Sequence, residues 1–208
     1  MMSIGELLLV RDSPLEINAT IGSAYEKISK TKKGAITILD GDKPVGIITE
    51  RDVLHLYSKG IPFHYRAIDY ATKRLVIARQ DRDLDFCMDL MLDHSIRRVV
   101  IVDELRRFLG IITQEMLLPF FEKKGLTQSI LAKEAMQCET LLSAKKSDTL
   151  ASVLSTMEEH KVSIIPIVDE NRIPLGVITE SDIVKLAINK TPMSTAIENV
   201  MTKKAISV

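Results

Sequence analysis

The sequence predicts an α/β fold made of three tandem repeats, each with a helix, two strands and a second helix. The phrase Gly-Ile-Ile-Thr or Gly-Val-Ile-Thr occurs three times, and each copy follows an apolar run that ends in aspartate. Both landmarks recur every 63 to 66 residues, which indicates a repeat array. Composition agrees, because 46% of the residues are hydrophobic and only 4% are aromatic. A core of Ile, Val, Leu and Met is typical of strands buried between helices.

The third repeat shows these elements most clearly. Apolar residues in 149–160 recur at helical spacing, which predicts an amphipathic helix. The β-branched run 162–169 is too short for another helix and is bounded by polar residues, so it predicts a buried strand. A polar turn at 170–172 leads to a second strand at 175–178, and Thr179 begins the second helix.

The other two repeats follow the same order. We predict the elements of the first repeat at 21–29, 35–40, 45–48 and 52–57, and those of the second at 84–92, 99–103, 109–112 and 115–121. A short extra strand is expected at the start of each repeat, near 75–77 in the second and 141–142 in the third.

The spacing places the repeats at 9–60, 67–125 and 130–190. Residues 199–208 parallel residues 70–77 at twice the repeat period, so we interpret the tail 195–208 as the start of a truncated fourth repeat. The alternative is a capping segment that only resembles a repeat start. On the first interpretation, an effector domain is expected beyond residue 208.

These motifs resemble those of CBS domains, the regulatory repeats named after cystathionine β-synthase. The resemblance rests on a strand ending in Val-Asp or Leu-Asp, on Gly-apolar-apolar-Thr, and on an aspartate three residues after the threonine in repeats one and three. CBS repeats pair into pseudo-twofold modules, which implies that repeats one and two form one module. Repeat three would pair with repeat three of another copy, giving a homodimer, or use the tail to cover its open face.

The resemblance also implies a ligand. Clefts between paired CBS repeats bind adenine nucleotides or S-adenosylmethionine, so AMP, ADP, ATP or S-adenosylmethionine is the expected ligand, and no cofactor is required. In the family, the aspartate of Thr-x-x-Asp accepts hydrogen bonds from ribose hydroxyls. Thr49 and Asp52 match this pattern, as do Thr179 and Asp182, but Met116 stands at the aspartate position of repeat two. The pattern is equally a helix cap, and both roles stay open.

Arg97 and Arg98 match in position the His-Arg pair of the γ subunits of AMP-activated protein kinase, which contacts phosphate. The resemblance therefore implies a composite site, with ribose at Asp52 and phosphate at the two arginines. The alternative is that these arginines are solvated or pair with Asp93 or Glu104.

The starts of the first long strands also match base-binding positions of the family. Gly34, Ala35 and Ser163 are small enough to leave room for a flat base. Backbone groups of Thr37 and Pro166 would contact the edge of the base. These assignments come from the resemblance rather than from spacing.

Composition argues against several other classes of protein. The 28 basic residues equal the 28 acidic residues, so no nucleic acid is expected as a partner. No apolar run reaches the roughly 18 residues of a membrane span, which predicts a soluble, cytoplasmic chain without membrane insertion. Cys87 and Cys138 show no metal-ligand spacing, and no catalytic motif is present, so neither a metal site nor an enzyme is expected.

The sequence therefore favours a regulatory module that binds an adenosyl ligand between CBS repeats. Such a module would signal to an effector outside this chain, for example a bacterial signalling enzyme such as a diguanylate cyclase. The alternative is a scaffold that dimerises without a ligand.

Overall fold

The computed structural model describes residues 4–8, 13–123 and 141–203. After a short helix α1 (Ile4–Leu7), the first repeat contains β1 (Leu15–Glu16), α2 (Ile21–Lys30), β2 (Ala35–Asp40), β3 (Lys43–Thr49) and α3 (Glu50–Ser58). The second contains β4 (Ile77–Arg79), α4 (Leu84–Asp93), β5 (Arg98–Val102), β6 (Phe108–Thr113) and α5 (Gln114–Lys123). The third contains β7 (Ala144–Lys145), α6 (Leu150–His160), β8 (Ile164–Val168), β9 (Pro174–Thr179) and α7 (Glu180–Ile188). Short 3-10 helices at Ala67–Asp69 and Ile197–Asn199 follow repeats one and three, and β10 (Thr202–Lys203) comes last.

Each repeat builds its own sheet, so the predicted α/β repeat architecture is confirmed. The strand orders are β1-β2-β3, β4-β5-β6 and β7-β8-β9, with β10 added beside β9. In every sheet the first strand runs parallel to the second, and the second is antiparallel to the third. The pairing register shifts at the equivalent position of all three sheets, after Ile38, Ile101 and Ile167. The three repeats therefore share the position of this shift in strand pairing as well as their strand order.

The short extra strands lie later than the apolar residues suggested. The strand predicted near 141–142 is at Ala144–Lys145, and the one near 75–77 begins only at Ile77. Leu141 is 71% exposed, so its hydrophobicity does not mark a buried strand. The pairing partner decides the position, because Ala144 lies opposite Ile167 of β8.

The first helix of each repeat begins at a residue that caps it. Side chains of Ser, Thr, Asp and Asn accept hydrogen bonds from free backbone N–H groups in the first turn. Thr20 accepts from the N–H of Ser23, Asp83 from that of Phe86, and Thr149 from that of Ser152.

Repeats one and three pack together through their helices. Helix α7 lies against α2 and α3, and α3 also contacts α6. Leu54 of α3 and Val184 of α7 are 2% and 1% exposed, whereas the equivalent Leu118 of α5 in repeat two is 46% exposed. This packing within one chain was not among the arrangements expected from the sequence. Helical periodicity marks a buried face but does not identify the partner.

Repeats one and two contact each other near the starts of β2 and β5. Lys33 Nζ donates to the carbonyl of Ile111 at 2.8 Å, and Arg98 Nε donates to the carbonyl of Lys33 at 2.5 Å. At another point the Phe108 N–H donates to the carbonyl of Asp42 at 2.8 Å. These bonds place the start of β2 in repeat one beside β5 and β6 of repeat two.

The glycine of the recurring phrase leaves room for the segment that follows the repeat. A Cβ on Gly46 would lie 2.9 Å from Ile68 Cδ1, and one on Gly176 would lie 2.5 Å from the carbonyl oxygen of Thr202. The next residue along each strand pairs antiparallel with Thr72 or Thr202, respectively. A side chain at position 176 would collide with the backbone of Thr202, so glycine is required there, whereas one at position 46 would have to displace the side chain of Ile68.

Candidate ligand site

A cleft of about 260 Å³ lies between repeats one and two. Thr49 and Arg51 line it from repeat one, and Arg97 and Arg98 line it from repeat two. Glu180 reaches it from repeat three. The structure thus places Arg97 and Arg98 of the predicted composite site in one cleft with Thr49, another predicted site residue, whereas Asp52 is not among the residues that line it.

The same backbone hydrogen bond builds this region in every repeat. It runs from the first residue of the second helix to the residue at the start of the central strand, so a helix N-terminus and a strand N-terminus always meet. The Glu50 N–H donates to Gly34 O at 3.0 Å, the Gln114 N–H to Arg97 O at 2.9 Å, and the Glu180 N–H to Ser163 O at 3.0 Å.

Because Gly34 has no side chain, it leaves room for the guanidinium group of Arg98. Its φ of 60° lies in the left-handed region, and a Cβ there would be 2.4 Å from Arg98 Nη2 and 2.8 Å from Glu50 Oε2. Burial lowers the pKa of Arg98, and the nearby Arg97 lowers it further, while Glu50 opposes both effects. An arginine has so high an ordinary pKa that the guanidinium keeps its charge. Arg98 is therefore a fixed, partly buried cation.

Carboxylates balance the arginine pair. Burial raises the pKa of Glu50; the charge of Arg98 opposes this rise, and Glu180 adds to it. Burial also acts to raise the pKa of Glu115, but hydrogen bonds from its own N–H and from Thr113, together with the neighbouring arginines, leave that pKa lowered. The site is thus a network of opposite charges rather than an open basic patch.

Two residues that the sequence did not single out complete this network. Glu180 is only 5% exposed, and its Oε1 accepts from Arg51 Nε at 2.9 Å. Its Oε2 lies 3.8 Å from Arg97 Nη2. Arg51 also donates from Nη2 to the carbonyl of Lys161 at 3.0 Å. Arg97 therefore approaches Glu180, rather than the Asp93 or Glu104 considered as partners in the sequence.

A second cavity, of about 350 Å³, lies where the three repeats meet. Arg97, Arg98 and Glu180 line both this junction cavity and the cleft. Three more of the predicted site residues line the junction cavity, namely Gly34, Ser163 and Thr179.

The two predicted ribose ligands both take part in capping boxes. Asp52 Oδ2 accepts from the Thr49 N–H at 2.7 Å and from Thr49 Oγ1 at 2.8 Å. Asp182 Oδ2 makes the same bonds to Thr179, at 3.1 and 2.8 Å. The helix-cap role is therefore observed at both positions, and it leaves one carboxylate oxygen of each residue for other contacts.

The Oδ1 atoms of Asp52 and Asp182 differ in their hydrogen-bond partners. Asp182 Oδ1 accepts from Thr202 Oγ1 at 3.4 Å and lies 3.6 Å from Lys185 Nζ. Among the described residues, no group donates to Asp52 Oδ1. Asp52 does not line the cleft itself; it lines an adjoining groove of about 700 Å³ between α3 and α6, beside Arg51.

The other predicted base contacts lie in the strands. Ala35 and Thr37 are buried in β2, and Pro166 is half-buried in β8. None of the three lines the cleft, the groove or the junction cavity. The hydroxyl of Thr37 is buried and has no hydrogen-bond partner within the described part of the chain.

Residues 4–8, 13–123 and 141–203 contain neither a metal-ligand cluster nor a membrane-spanning helix. In these ranges no group of three or more His, Cys, Asp or Glu side chains could hold a metal ion, and no helix is long and apolar enough to cross a membrane. Burial raises the pKa of Cys87 to about 12, so its reactive thiolate form is scarce near neutral pH. Cys138 lies outside the described residues.

A CBS domain family model matches residues 9–59, 67–123 and 132–189. The chain belongs to the CBS domain family. Its central strands, capped second helices and recurring glycine are thus shared by three CBS repeats in one chain.

Similar proteins support this assignment. MJ1225 of Methanocaldococcus jannaschii is 28% identical over 82% of this chain, which spans 65% of the length of that protein. The crystal structure of MJ1225, described as a proposed archaeal homologue of γ-AMPK, has a TM-score of 0.83 at 16% identity and covers 99% of this chain and 84% of that one. The CBS domain protein PAE2072 of Pyrobaculum aerophilum, complexed with AMP, has a TM-score of 0.54 at 19% identity, covering 61% and 100% of the two chains. CBSX2, in complex with AMP, has a TM-score of 0.52 at 18% identity, covering 60% and 99%.

Within this CBS array, Arg51 and Glu180 were missed for a physical reason. Each lies in the first turn of a helix after a capping threonine, where an acidic residue such as Glu180 already stabilises the helix end and so does not point to a further role. Only the packing of repeat three on repeat one brings Glu180 to the cleft between repeats one and two. No local pattern in the sequence reports that contact.

Proposed function

We propose that this chain is a regulatory module that binds an adenine nucleotide in the cleft between repeats one and two. The observation that carries the proposal is the convergence of Arg51, Arg97 and Arg98 beside Thr49. Occupancy of the cleft would be passed to an effector such as a linked signalling enzyme. The AMP complexes of PAE2072 and CBSX2 support AMP as the first ligand to test.

The lining of the cleft is suited to a nucleotide with one end apolar and one end anionic. Ile47, Val76 and Val100 supply apolar surface, which can pack against a flat base. Arg97 and Arg98 lie in the same cleft, and their planar guanidinium groups match phosphate geometry. We infer that the phosphate binds at the arginines and that the base lies toward the apolar wall.

Asp52 is the proposed ribose ligand; its side chain lines the groove that adjoins the cleft at Arg51. Its Oδ2 is held by the capping box, which fixes the carboxylate at the threonine that lines the cleft. Oδ1 is then oriented by the cap, and a carboxylate oxygen is a strong acceptor for ribose hydroxyls.

Isothermal titration calorimetry with AMP, ADP, ATP and S-adenosylmethionine tests the proposal. We expect at least one of these ligands to bind with a dissociation constant below about 1 mM, which corresponds to roughly 4 kcal/mol. Absence of binding by all four, in a folded chain, would reject nucleotide sensing. In that case a dimer found by analytical ultracentrifugation would favour the scaffold alternative.

The Asp52→Ala variant should bind the best of these ligands about tenfold more weakly, because it loses a hydrogen-bond acceptor worth roughly 1.5 kcal/mol. Asp182→Ala is the matched control. It removes the same capping box, which costs each variant about 1 kcal/mol of stability, and it also removes the contacts of Asp182 Oδ1 with Thr202 and Lys185. Only Asp52→Ala should change the affinity measured by calorimetry for the cleft between repeats one and two. Equal effects of the two variants on that affinity would reject the ribose role of Asp52.

A further inference from the structure

Glu180 is a buried carboxylate that borders three cavities at once. It lines the cleft between repeats one and two, the junction cavity and the groove between α3 and α6. A carboxylate this strongly buried needs partners, since burial of an unpaired charge is costly. Its partners are Arg51 of repeat one at 2.9 Å and Arg97 of repeat two at 3.8 Å. One side chain of repeat three therefore touches the cation groups of both other repeats.

The side chain of Arg51 joins repeat one specifically to repeat three. Its Nε donates to Glu180 and its Nη2 donates to the carbonyl of Lys161, so both of its acceptors belong to repeat three. Lys161 ends helix α6, and Glu180 begins helix α7. Arg51 thus links the cleft that it lines to helices α6 and α7 of repeat three. We call its two hydrogen bonds, to Glu180 and to the carbonyl of Lys161, the clasp.

We propose that Glu180 pairs with Arg51 and Arg97 while the cleft holds no anionic ligand, and that a bound phosphate group replaces Glu180 as the partner of these arginines. The inference rests on the proposed function and adds a route of regulation to it. Phosphate and carboxylate oxygens are acceptors for the same guanidinium N–H groups. They also repel each other, so a phosphate near Arg97 weakens the hold of Glu180.

Through this exchange, occupancy of the cleft changes the contacts between repeat three and repeat one. When Arg51 turns toward phosphate, repeat three loses two of the hydrogen bonds that join it to repeat one, those from Arg51 to Glu180 and to the carbonyl of Lys161. By linkage, any ligand that weakens this clasp is itself bound more tightly when the clasp is absent. Glu180 is therefore a positioning residue that sets the affinity for anionic ligands.

Glu180→Gln tests the inference because glutamine keeps the size of the side chain and removes its charge. We expect AMP to bind about five- to tenfold more tightly to this variant, while adenosine affinity changes by less than about twofold. Calorimetry with the full chain measures both. Glu158→Gln is the matched control, because Glu158 also joins repeats one and three, through His55 at 2.8 Å, but does not line the cleft. Its AMP affinity should equal that of the wild type.

Hydrogen exchange of the wild type provides a second measurement that does not depend on the variant. AMP should speed exchange of the first-turn amides of α7, and adenosine should not. If the wild type binds AMP but Glu180→Gln has equal or lower AMP affinity, or if AMP slows exchange in α7, the inference is overturned and nucleotide binding stands. Absence of AMP binding by the wild type overturns both.

Discussion

Replacing Arg97 and Arg98 together with alanine is expected to weaken AMP binding by about 100-fold and adenosine binding by less than about threefold. A hydrogen bond to a charged group contributes roughly 1.5–3 kcal/mol, and 100-fold corresponds to about 2.7 kcal/mol. Both arginines line the cleft, and Arg98 is fixed further by its bond to the carbonyl of Lys33. The selective loss of the phosphate-bearing ligand is measured by calorimetry with AMP and adenosine in parallel.

A double variant of Arg79 and Arg82 to alanine controls for the change in net charge. These arginines also belong to repeat two, but Arg79 pairs with Asp81 at 2.7 Å and Arg82 lies over the ring of Phe86. The control should retain AMP affinity, because neither residue lines the cleft. Equal weakening of AMP and adenosine by the Arg97 and Arg98 variant would show that the arginines support the fold of the cleft and do not contact phosphate.

Gly34→Ala is expected to lower the free energy of unfolding by about 2–5 kcal/mol. An L-residue in the left-handed region costs roughly 1–2 kcal/mol, and forcing an extra methyl group into occupied space costs roughly 1–3 kcal/mol. Here the methyl group would meet Arg98 Nη2 at 2.4 Å and Glu50 Oε2 at 2.8 Å. Urea unfolding followed by circular dichroism measures the loss.

Gly41→Ala separates the two costs. Gly41 has nearly the same backbone angle, a φ of 63°, but a Cβ at this position would meet nothing within 4 Å. Its replacement should therefore cost only the backbone term of about 1–2 kcal/mol. If both variants lose the same stability, Arg98 and Glu50 do not occupy the space beside Gly34 in solution.

Helices and strands were predictable because their signals are local and occur three times. The periodicity of 149–160 gave α6, and the apolar runs before Asp40, Asp103 and Asp169 gave the central strands. The extra strand of repeat three was misplaced because a two-residue strand has no pattern of its own, and only its partner fixes it. Likewise, no periodicity predicts that α7 packs against α2 and α3.

The lining of the candidate ligand site was predictable in part, because some of its residues hold fixed positions within a repeat. Thr49, Arg97 and Arg98 were found by their positions within a repeat, and they do line one cleft. Asp52 and Asp182 have the same local sequence pattern, yet only Asp182 also accepts a hydrogen bond from Thr202 after the repeat. What distinguishes the two residues is a contact between distant segments, which a motif does not contain.

The close approach at Gly46 and Gly176 bears on how this protein can be divided for experiments. Each sheet of repeats one and three is closed at one edge by a strand or bridge from the chain beyond its second helix, at Thr72 or Thr202. A piece that stopped at the end of that helix would expose a bare strand edge, which invites pairing with other molecules. The smallest piece expected to keep this edge covered thus extends past its second helix, to Thr72 or Thr202, and it includes residues that the sequence pattern assigns to the next repeat or to the tail.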